Sequence, residues 1–329
     1  MKILLYLWYV VVSTLAFMTV AKSTSPDEFK QKFIEEQVKK GYTKQQIESF
    51  LKPAKKNKVV IDAIQRQWES KPWFEYYPIF LTSNRIKAGV NFWKKNRENL
   101  ARAEKKFQVN PEIIVSIIGV ETFFGKNMGS FNVRDALFSL GFHYPPRGSF
   151  FSSELGHLMD LIQKENLNPE TLTGSFAGAI GYGQFIPSSY MHYAVDFNGD
   201  GKRDLTNVVD AIGSVANYFK NHGWQYQQPV AFPAKVKGEP KKMKSLLWGK
   251  SPPSTSLEEW QMVGVEPKTG IKLHPREKAV FFQLAYKNKV EHWVGLKNFY
   301  VITRYNHSQL YAMAVYLLSQ KIKDAYEKS

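Results

Sequence analysis

The segment Pro111-Glu112-Ile113-Ile114-Val115-Ser116-Ile117-Ile118-Gly119-Val120-Glu121-Thr122-Phe123-Phe124-Gly125 sets Ile113, Ile114, Ile117 and Ile118 at helix spacing. Glu121 continues that face, four residues after Ile117 and three after Ile118. A carboxyl on the apolar side of such a helix is largely desolvated. Desolvation disfavours the anion, so the pKa rises and a proton is held near neutral pH, which is the property of a general acid. A buried Glu paired with an Arg or Lys elsewhere in the chain fits the same position and is the commoner fate of a lone acidic residue on an apolar face. The segment alone leaves both open.

The rest of the chain is long enough, at 329 residues, for two or three domains' worth of core. Apolar residues make up 43% and charged residues 22%, which argues against wholesale disorder. Met1-Lys2 precedes an apolar run from Ile3 to Val20, followed by small residues, the pattern of a secretory signal over 1–21 cut after Ala21 or Ser23. An uncleaved N-terminal anchor is the competing reading. There is no Cys, so the expected product is exported, free of disulfides, periplasmic and not a lipoprotein. The net charge of +16 favours polyanions. Export makes an anionic wall or a weak envelope-surface association a better match than nucleic acid.

Along the chain, residues 25–107 read as an N-terminal helical domain. It has a helical pair up to about residue 52, an extended aromatic stretch from Trp68 to Phe80 broken by Pro72 and Pro78, and one long amphipathic helix from Asn84 to Phe107. Residues 108–224 look mainly helical. From 225 to 298 Pro, Gly and Lys become frequent and short β-like runs appear, such as Lys278 to Leu284, so a small strand-containing insert is expected there. Lys235 to Lys244 reads as a basic, solvated loop. Helix returns within 299–329, from Ser308 to about Tyr326, and packs back on the helical part. The fold class expected is mainly α (α+β).

A second constellation is Asp196-Phe197-Asn198-Gly199-Asp200-Gly201-Lys202-Arg203-Asp204. It places oxygen side chains at positions 1, 3 and 5 of a calcium loop and Gly at position 6, with the Lys202 carbonyl at position 7. Position 12 is Asn207 where a bidentate Glu is expected. Asp210, three residues on and in the first turn of a helix, closes a 15-residue loop instead. Without it, Asn-Gly-Asp-Gly is a double turn. A single loop of this kind suits one structural Ca2+ rather than a sensor.

A third constellation runs from Thr173 to Tyr190 and is dense in glycine. It lacks the Lys-Ser/Thr of a phosphate loop and the spacing of a dinucleotide fingerprint. Small residues allow close backbone approach. Ser175 and Gln184 can bond sugar hydroxyl or acetamido groups, and Tyr182 or Tyr190 can stack on pyranose faces. Tight helix packing explains the glycines equally well.

Taken together, five motifs in order resemble the lytic murein transglycosylase B family over roughly residues 27–322. They are Glu121-Thr122-Phe123-Phe124-Gly125, the stretch from Gly174 to Phe185, the 196–210 loop, the stretch from Asp210 to Phe219, and Thr303-Arg304-Tyr305-Asn306-His307-Ser308. The resemblance implies a lysozyme-like helical core over 108–224 with an embedded EF-hand-like loop. It implies cleavage of the MurNAc–GlcNAc β-1,4 bond of peptidoglycan with a 1,6-anhydro-MurNAc end, and Glu121 as sole acid and base. It also implies Ser175, Gln184, Tyr218, Tyr305, Asn306 and Tyr311 along a glycan cleft, and Asp196, Asn198, Asp200, the Lys202 carbonyl and Asp210 around calcium. Two departures stand out. The lipidated Cys of membrane-bound members is missing, and Tyr144-Pro145-Pro146-Arg147 keeps only Arg147 where relatives often carry two arginines for muropeptide contact.

Most glycosidases use two carboxylates, and no second one sits in the motifs beside Glu121. A single carboxyl that first donates a proton and then removes one from the MurNAc C6 hydroxyl accommodates this, with no cofactor in the chemistry. A hydrolytic muramidase on the same fold and a noncatalytic calcium-dependent peptidoglycan-binding protein are the alternatives.

Overall fold

The computed structural model describes residues 25–65, 71–238 and 244–329. The signal expected over 1–21, Trp68 and residues 239–243 of the basic stretch lie outside them.

Helix α1 (Pro26–Lys39) starts where Ser25 and Glu28 form a reciprocal capping box with Pro26 at the first position, and it buries Phe29 and Phe33. Thr43 and Gln46 repeat that device for α2 (Lys44–Leu51), and α3 (Lys58–Ile64) follows. The stretch expected to be extended is instead α4 (Trp73–Phe80) from Trp73 onward. Pro72 serves as its N-cap, and Pro78 forfeits one helical hydrogen bond. The cost is offset by burying Trp73 and Tyr76, and by rings of Tyr77 and Phe80 set 5.5 Å from Trp73 and 5.2 Å from Tyr76 respectively.

A second difference concerns residues 84–107, which form two helices, α5 (Ser83–Lys95) and α6 (Arg97–Phe107). Asn96 divides them. Its side-chain amide donates to the Phe92 carbonyl at 2.9 Å, its φ leaves the helical region at −111°, and its own carbonyl accepts from Leu100 at 2.9 Å to begin the next helix. Apolar spacing runs smoothly through such a break, so periodicity does not reveal it.

The next elements build the centre: α7 (Pro111–Thr122), β1 (Phe131–Asn132), α8 (Val133–His143), α9 (Gly148–Glu165), β2 (Thr173–Gly174), α10 (Pro187–Tyr193) and α11 (Val208–Asn221). β1 and β2 pair antiparallel, Phe131 opposite Gly174. Almost every residue of α7 is buried, because helices close on it from all sides.

The sheet lies within the expected insert. β3 (Ala231–Val236), β4 (Thr255–Ser256), α12 (Leu257–Met262), β5 (Val265–Pro267), β6 (Lys278–Ala285) and β7 (Val290–Gly295) supply it. The five strands are antiparallel in the order β4-β6-β7-β3-β5. β6 is apolar without alternation because both its faces are covered. Ala279 and Phe281 join a small cluster with Leu257 and Trp260, while Val280, Phe282 and Leu284 face the main core. The start of the basic stretch is strand rather than loop, since Lys235 pairs with Glu266 across β3 and β5.

Helices α13 (Lys297–Tyr305) and α14 (Gln309–Glu327) end the chain. Phe299 on α13 stacks on Phe282 at 4.4 Å and 11°, fastening the sheet to the helices. α14 lies along α7, and the Ser116 hydroxyl donates to the Val315 carbonyl at 2.6 Å between them. Both tyrosines that bracket the turn between α13 and α14, Tyr305 and Tyr311, are thereby brought to the last turn of α7. Among the described residues no helix is long and apolar enough to cross a membrane.

Candidate active site

The last turn of α7 carries Glu121, and the chain then passes through three left-handed residues, Phe123 (φ 51°), Phe124 (φ 61°) and Gly125 (φ 89°). The Phe123 N–H donates to the Gly119 carbonyl and the Phe124 N–H to Ile118, both at 3.2 Å, which closes the helix. Gly119 is needed here because the Phe124 ring folds back over it; an added Cβ would lie 2.6 Å from Phe124 Cζ.

Thr122 ties this end to the glycine-rich segment. Its hydroxyl lies 3.0 Å from the Tyr182 carbonyl and 3.1 Å from Ile118 O, and it accepts from the Gly125 N–H at 3.0 Å. Sequence reasoning passed over Thr122, since one hydroxyl after an apolar run carries no periodic signal.

Glu121 keeps some solvent access although it lies deep among helices. Burial pushes its carboxyl up to about 7, and a hydrogen bond donated by the Tyr311 hydroxyl to Oε1 pulls the other way. Among the described residues no Lys or Arg forms an ion pair with it. The salt-bridged alternative left open by the sequence is therefore not the arrangement found. No second carboxylate contributes to the shift either.

Tyr305 stands beside this pair. Its hydroxyl donates to the Gly183 carbonyl at 2.5 Å, and its ring meets Tyr218 edge-on at 4.7 Å. Tyr218 donates to the Arg304 carbonyl at 2.6 Å and stacks on His222 at 4.0 Å. Burial, with the nearby Glu121 charge as a smaller cause, holds Tyr305 and Tyr311 well above the usual phenol range, so both are neutral donors.

Gln184 takes a left-handed conformation (φ 51°), and its side-chain amide donates to Gly181 O at 2.9 Å and Met128 O at 3.1 Å. Ser175 accepts from the Ala177 and Ala179 N–H groups at 3.2 and 3.1 Å. Both side chains thus shape the glycine-rich turn. Asn306 follows α13 directly in an extended conformation, and its carbonyl accepts from Ser308 at 2.8 Å. The Arg147 guanidinium lies over the rings of Phe150 and Phe151 at 4.5 and 4.9 Å.

Tyr190 corrects one expectation. It is buried, and its hydroxyl donates to the Arg203 carbonyl, so it is not a platform for a sugar.

The acidic loop folds on its own N–H groups. Asp196 accepts from Gly199 at 2.6 Å, Asp200 at 3.2 Å and Gly201 at 2.8 Å. Asp200 accepts from the Lys202 N–H at 2.9 Å and from the Asn198 amide at 2.9 Å, which hold its carboxyl below the usual range. Asp210 is fully buried and accepts from Phe197 at 2.8 Å, Asn198 at 3.0 Å and Asp204 at 2.9 Å. Among the described residues no group of three or more His, Asp or Glu side chains converges as a metal cage. The donor chemistry nonetheless suits a hard cation, being all oxygen, with the half-buried Asp196 and the exposed Asp200 carboxylates set on left-handed Gly199 and Gly201 turns. Asp210 has about one of its roughly four lone-pair sites to spare.

The loop and the site are connected. The Leu205 carbonyl accepts from the Tyr182 N–H at 2.9 Å, and a Cβ at Gly181 (φ 72°) would run into that carbonyl.

A family model described as the transglycosylase SLT domain matches residues 25–320. The membrane-bound lytic murein transglycosylase B of Escherichia coli (strain K12) is 42% identical over 305 residues, covering 89% of this chain and 82% of that protein. The soluble lytic transglycosylase SltB1 from Pseudomonas aeruginosa superimposes with a TM-score of 0.82 at 45% identity, over 89% of this chain and 98% of that one. The Escherichia coli lytic transglycosylase Slt35 in complex with calcium does so with a TM-score of 0.79 at 39% identity, over 95% and 99%. The family match, the fold and the identity to relatives over most of the chain agree: the chain belongs to the transglycosylase SLT domain family of enzymes.

Proposed function

We propose that this protein is a lytic transglycosylase that cuts the MurNAc–GlcNAc β-1,4 bond of peptidoglycan and leaves a 1,6-anhydro-MurNAc end. The observation that carries this reading is Glu121. It is a carboxyl raised to about 7 by burial and hydrogen-bonded by Tyr311, with no cation pairing it among the described residues and no second carboxylate among the causes of its shift. Such a group is half protonated near neutral pH and can serve first as acid and then as base. In the first step Glu121 gives its proton to the glycosidic oxygen as the bond to C1 breaks. Positive charge developing at C1 is met by the Glu121 carboxylate and by the substrate's own N-acetyl carbonyl. In the second step the carboxylate takes the C6 hydroxyl proton while O6 closes on C1, and the acid is restored. The intramolecular attack benefits from proximity and excludes water. Tyr311 steadies the carboxylate between the two steps. Tyr305, Tyr218, Asn306, Ser175 and Gln184 would line the glycan cleft.

The kinship with a murein transglycosylase supports the substrate, and action on peptidoglycan accords with the periplasm and with a signal over 1–21. Asp196, Asn198, Asp200, the Lys202 carbonyl and Asp210 would hold a calcium ion, as the calcium complex of Slt35 suggests. Its role is to stiffen the loop behind Tyr182, and the chemistry belongs to Glu121.

Mass spectrometry of products from purified sacculi tests the reaction. Disaccharide-peptides one water lighter than the reducing forms are expected. Reducing ends from the first time point onward would instead identify a hydrolytic muramidase.

A second expectation concerns pH. The reaction needs protonated Glu121, so kcat/KM falls as pH rises through about 7. The Tyr311 hydroxyl lowers the Glu121 pKa. Tyr311→Phe should therefore move the alkaline limb to higher pH while lowering kcat by about tenfold. A limb that stays in place would show that Glu121 does not set it.

A further inference from the structure

The ring of Phe123, two residues beyond Glu121, carries two cations. Arg85 Cζ lies 4.9 Å from its centroid and Lys126 Nζ 5.1 Å. Arg85 also covers Phe80 at 5.2 Å. Its Nη1 donates to the Ile79 carbonyl, and its Nε is buried with no hydrogen-bond partner. Among the described residues neither Arg85 nor Lys126 has a carboxylate within ion-pair distance.

This arrangement is costly in three ways. A half-buried guanidinium without a counter-charge is only partly compensated by one carbonyl and two ring faces, and burial lowers its pKa accordingly. A buried N–H without an acceptor is uncommon in a folded protein and calls for a reason. Phe123 itself is a bulky residue in the left-handed region, a conformation unfavourable for any side chain with a Cβ. Strain of this kind gathers at ligand sites. The two aromatic faces hold the Arg85 plane in place, so little side-chain freedom is lost when its N–H groups meet a planar anion.

We infer that Arg85 and Lys126, held against Phe123, form an anion subsite that takes a carboxylate of the peptide carried by the substrate's muramic acid. The inference rests on the reading of peptidoglycan as substrate and deepens it. A carboxylate matches the guanidinium fork in two parallel hydrogen bonds, with the Lys126 ammonium as a second, mobile charge. The site adjoins the residue that caps the Glu121 helix. Arg147, the residue the sequence offers for peptide contacts, lies over Phe150 and Phe151 at the start of α9, so Arg85 and Lys126 would add to it rather than replace it.

The test compares two substrates, intact sacculi and sacculi stripped of peptides by an amidase, on wild type, Arg85→Gln, Arg85→Lys and Lys126→Gln. Wild type is expected to prefer the peptide-bearing substrate. Arg85→Gln should lower the ratio of kcat/KM on intact over stripped substrate by about tenfold, mainly through KM, and Lys126→Gln by about threefold. Arg85→Lys, which keeps charge without the fork, should fall between. An unchanged ratio in Arg85→Gln, or an equal loss on both substrates, would overturn the subsite. Should Arg85→Gln not fold, the exposed Lys126 carries the same test, and an unchanged ratio there overturns it too. A wild type inactive on both substrates would instead defeat the peptidoglycan reading, and the subsite with it.

Discussion

Glu121→Gln should abolish lytic activity on sacculi and, at the same time, make the protein more stable in mild alkali. The loss is expected to be at least 10²–10⁴-fold, the scale of a positioned proton donor, and greater if one group serves both steps. Gln keeps the size of the side chain and can still meet the Tyr311 hydroxyl, so the fold is retained. The stability gain follows from the same burial. Glu121 ionises at an ordinary 4.5 when unfolded and at about 7 when folded. Below pH 4.5 both states hold the proton and the carboxyl costs nothing. Between 4.5 and 7 the unfolded state releases its proton first, so wild-type stability declines as pH rises, and above 7 the deficit is complete. With 1.36 kcal/mol for each unit between 4.5 and about 7, the deficit is at most roughly 3–4 kcal/mol. Thermal melts of both proteins at pH 4 and pH 8 should show the variant ahead only at the higher pH. An active Glu121→Gln would dismiss the mechanism, and melts that track each other at both pH values would dismiss the proton-holding carboxyl.

That one residue yields both effects explains why it was legible in the sequence. Ile113, Ile114, Ile117 and Ile118 are buried as their spacing requires, and an acidic residue on their face has few ways to be tolerated. The tyrosines were less legible by pattern alone. Tyr311 lies 190 residues from Glu121 along the chain, and only the family resemblance linked them. Local geometry was hidden where one side chain overrides periodicity. Asn96 divides a continuous apolar stripe by bonding back to Phe92. Trp73 and Tyr76 carry Pro78 into a helix that its proline argued against. The unpaired charge of Arg85 was invisible for another reason. A sequence lists cations but not the carboxylates they fail to meet.

Asp210→Ala should carry a large loss of stability. The carboxylate is fully buried and accepts from Phe197, Asn198 and Asp204, so its removal strands three N–H groups and opens a cavity. Hydrogen bonds to a charged group are each worth about 1.5–3 kcal/mol, and partial relaxation leaves an expected loss of roughly 3–5 kcal/mol. At about 2–4 °C per kcal/mol, the melting temperature should fall by roughly 10 °C. The damage is not confined to the loop. Arg203 and Leu205 are held through Tyr190, whose hydroxyl donates to one carbonyl and accepts from the Leu205 N–H at 3.2 Å. Leu205 in turn supports Tyr182, and the Tyr182 carbonyl meets Thr122 beside Glu121. A loosened loop should thus lower kcat at temperatures well below the melt, while the binding of an isolated disaccharide changes less. Calcium separates the two roles of Asp210. At a hundredfold excess over its Kd a cation bound only to the folded state adds about 2.7 kcal/mol, so wild type should melt higher in millimolar CaCl2 and Asp210→Ala should not. A variant that melts with wild type in the absence of calcium would mean that the three N–H groups find water or new acceptors, and that the loop reaches the active site by some route other than Asp210.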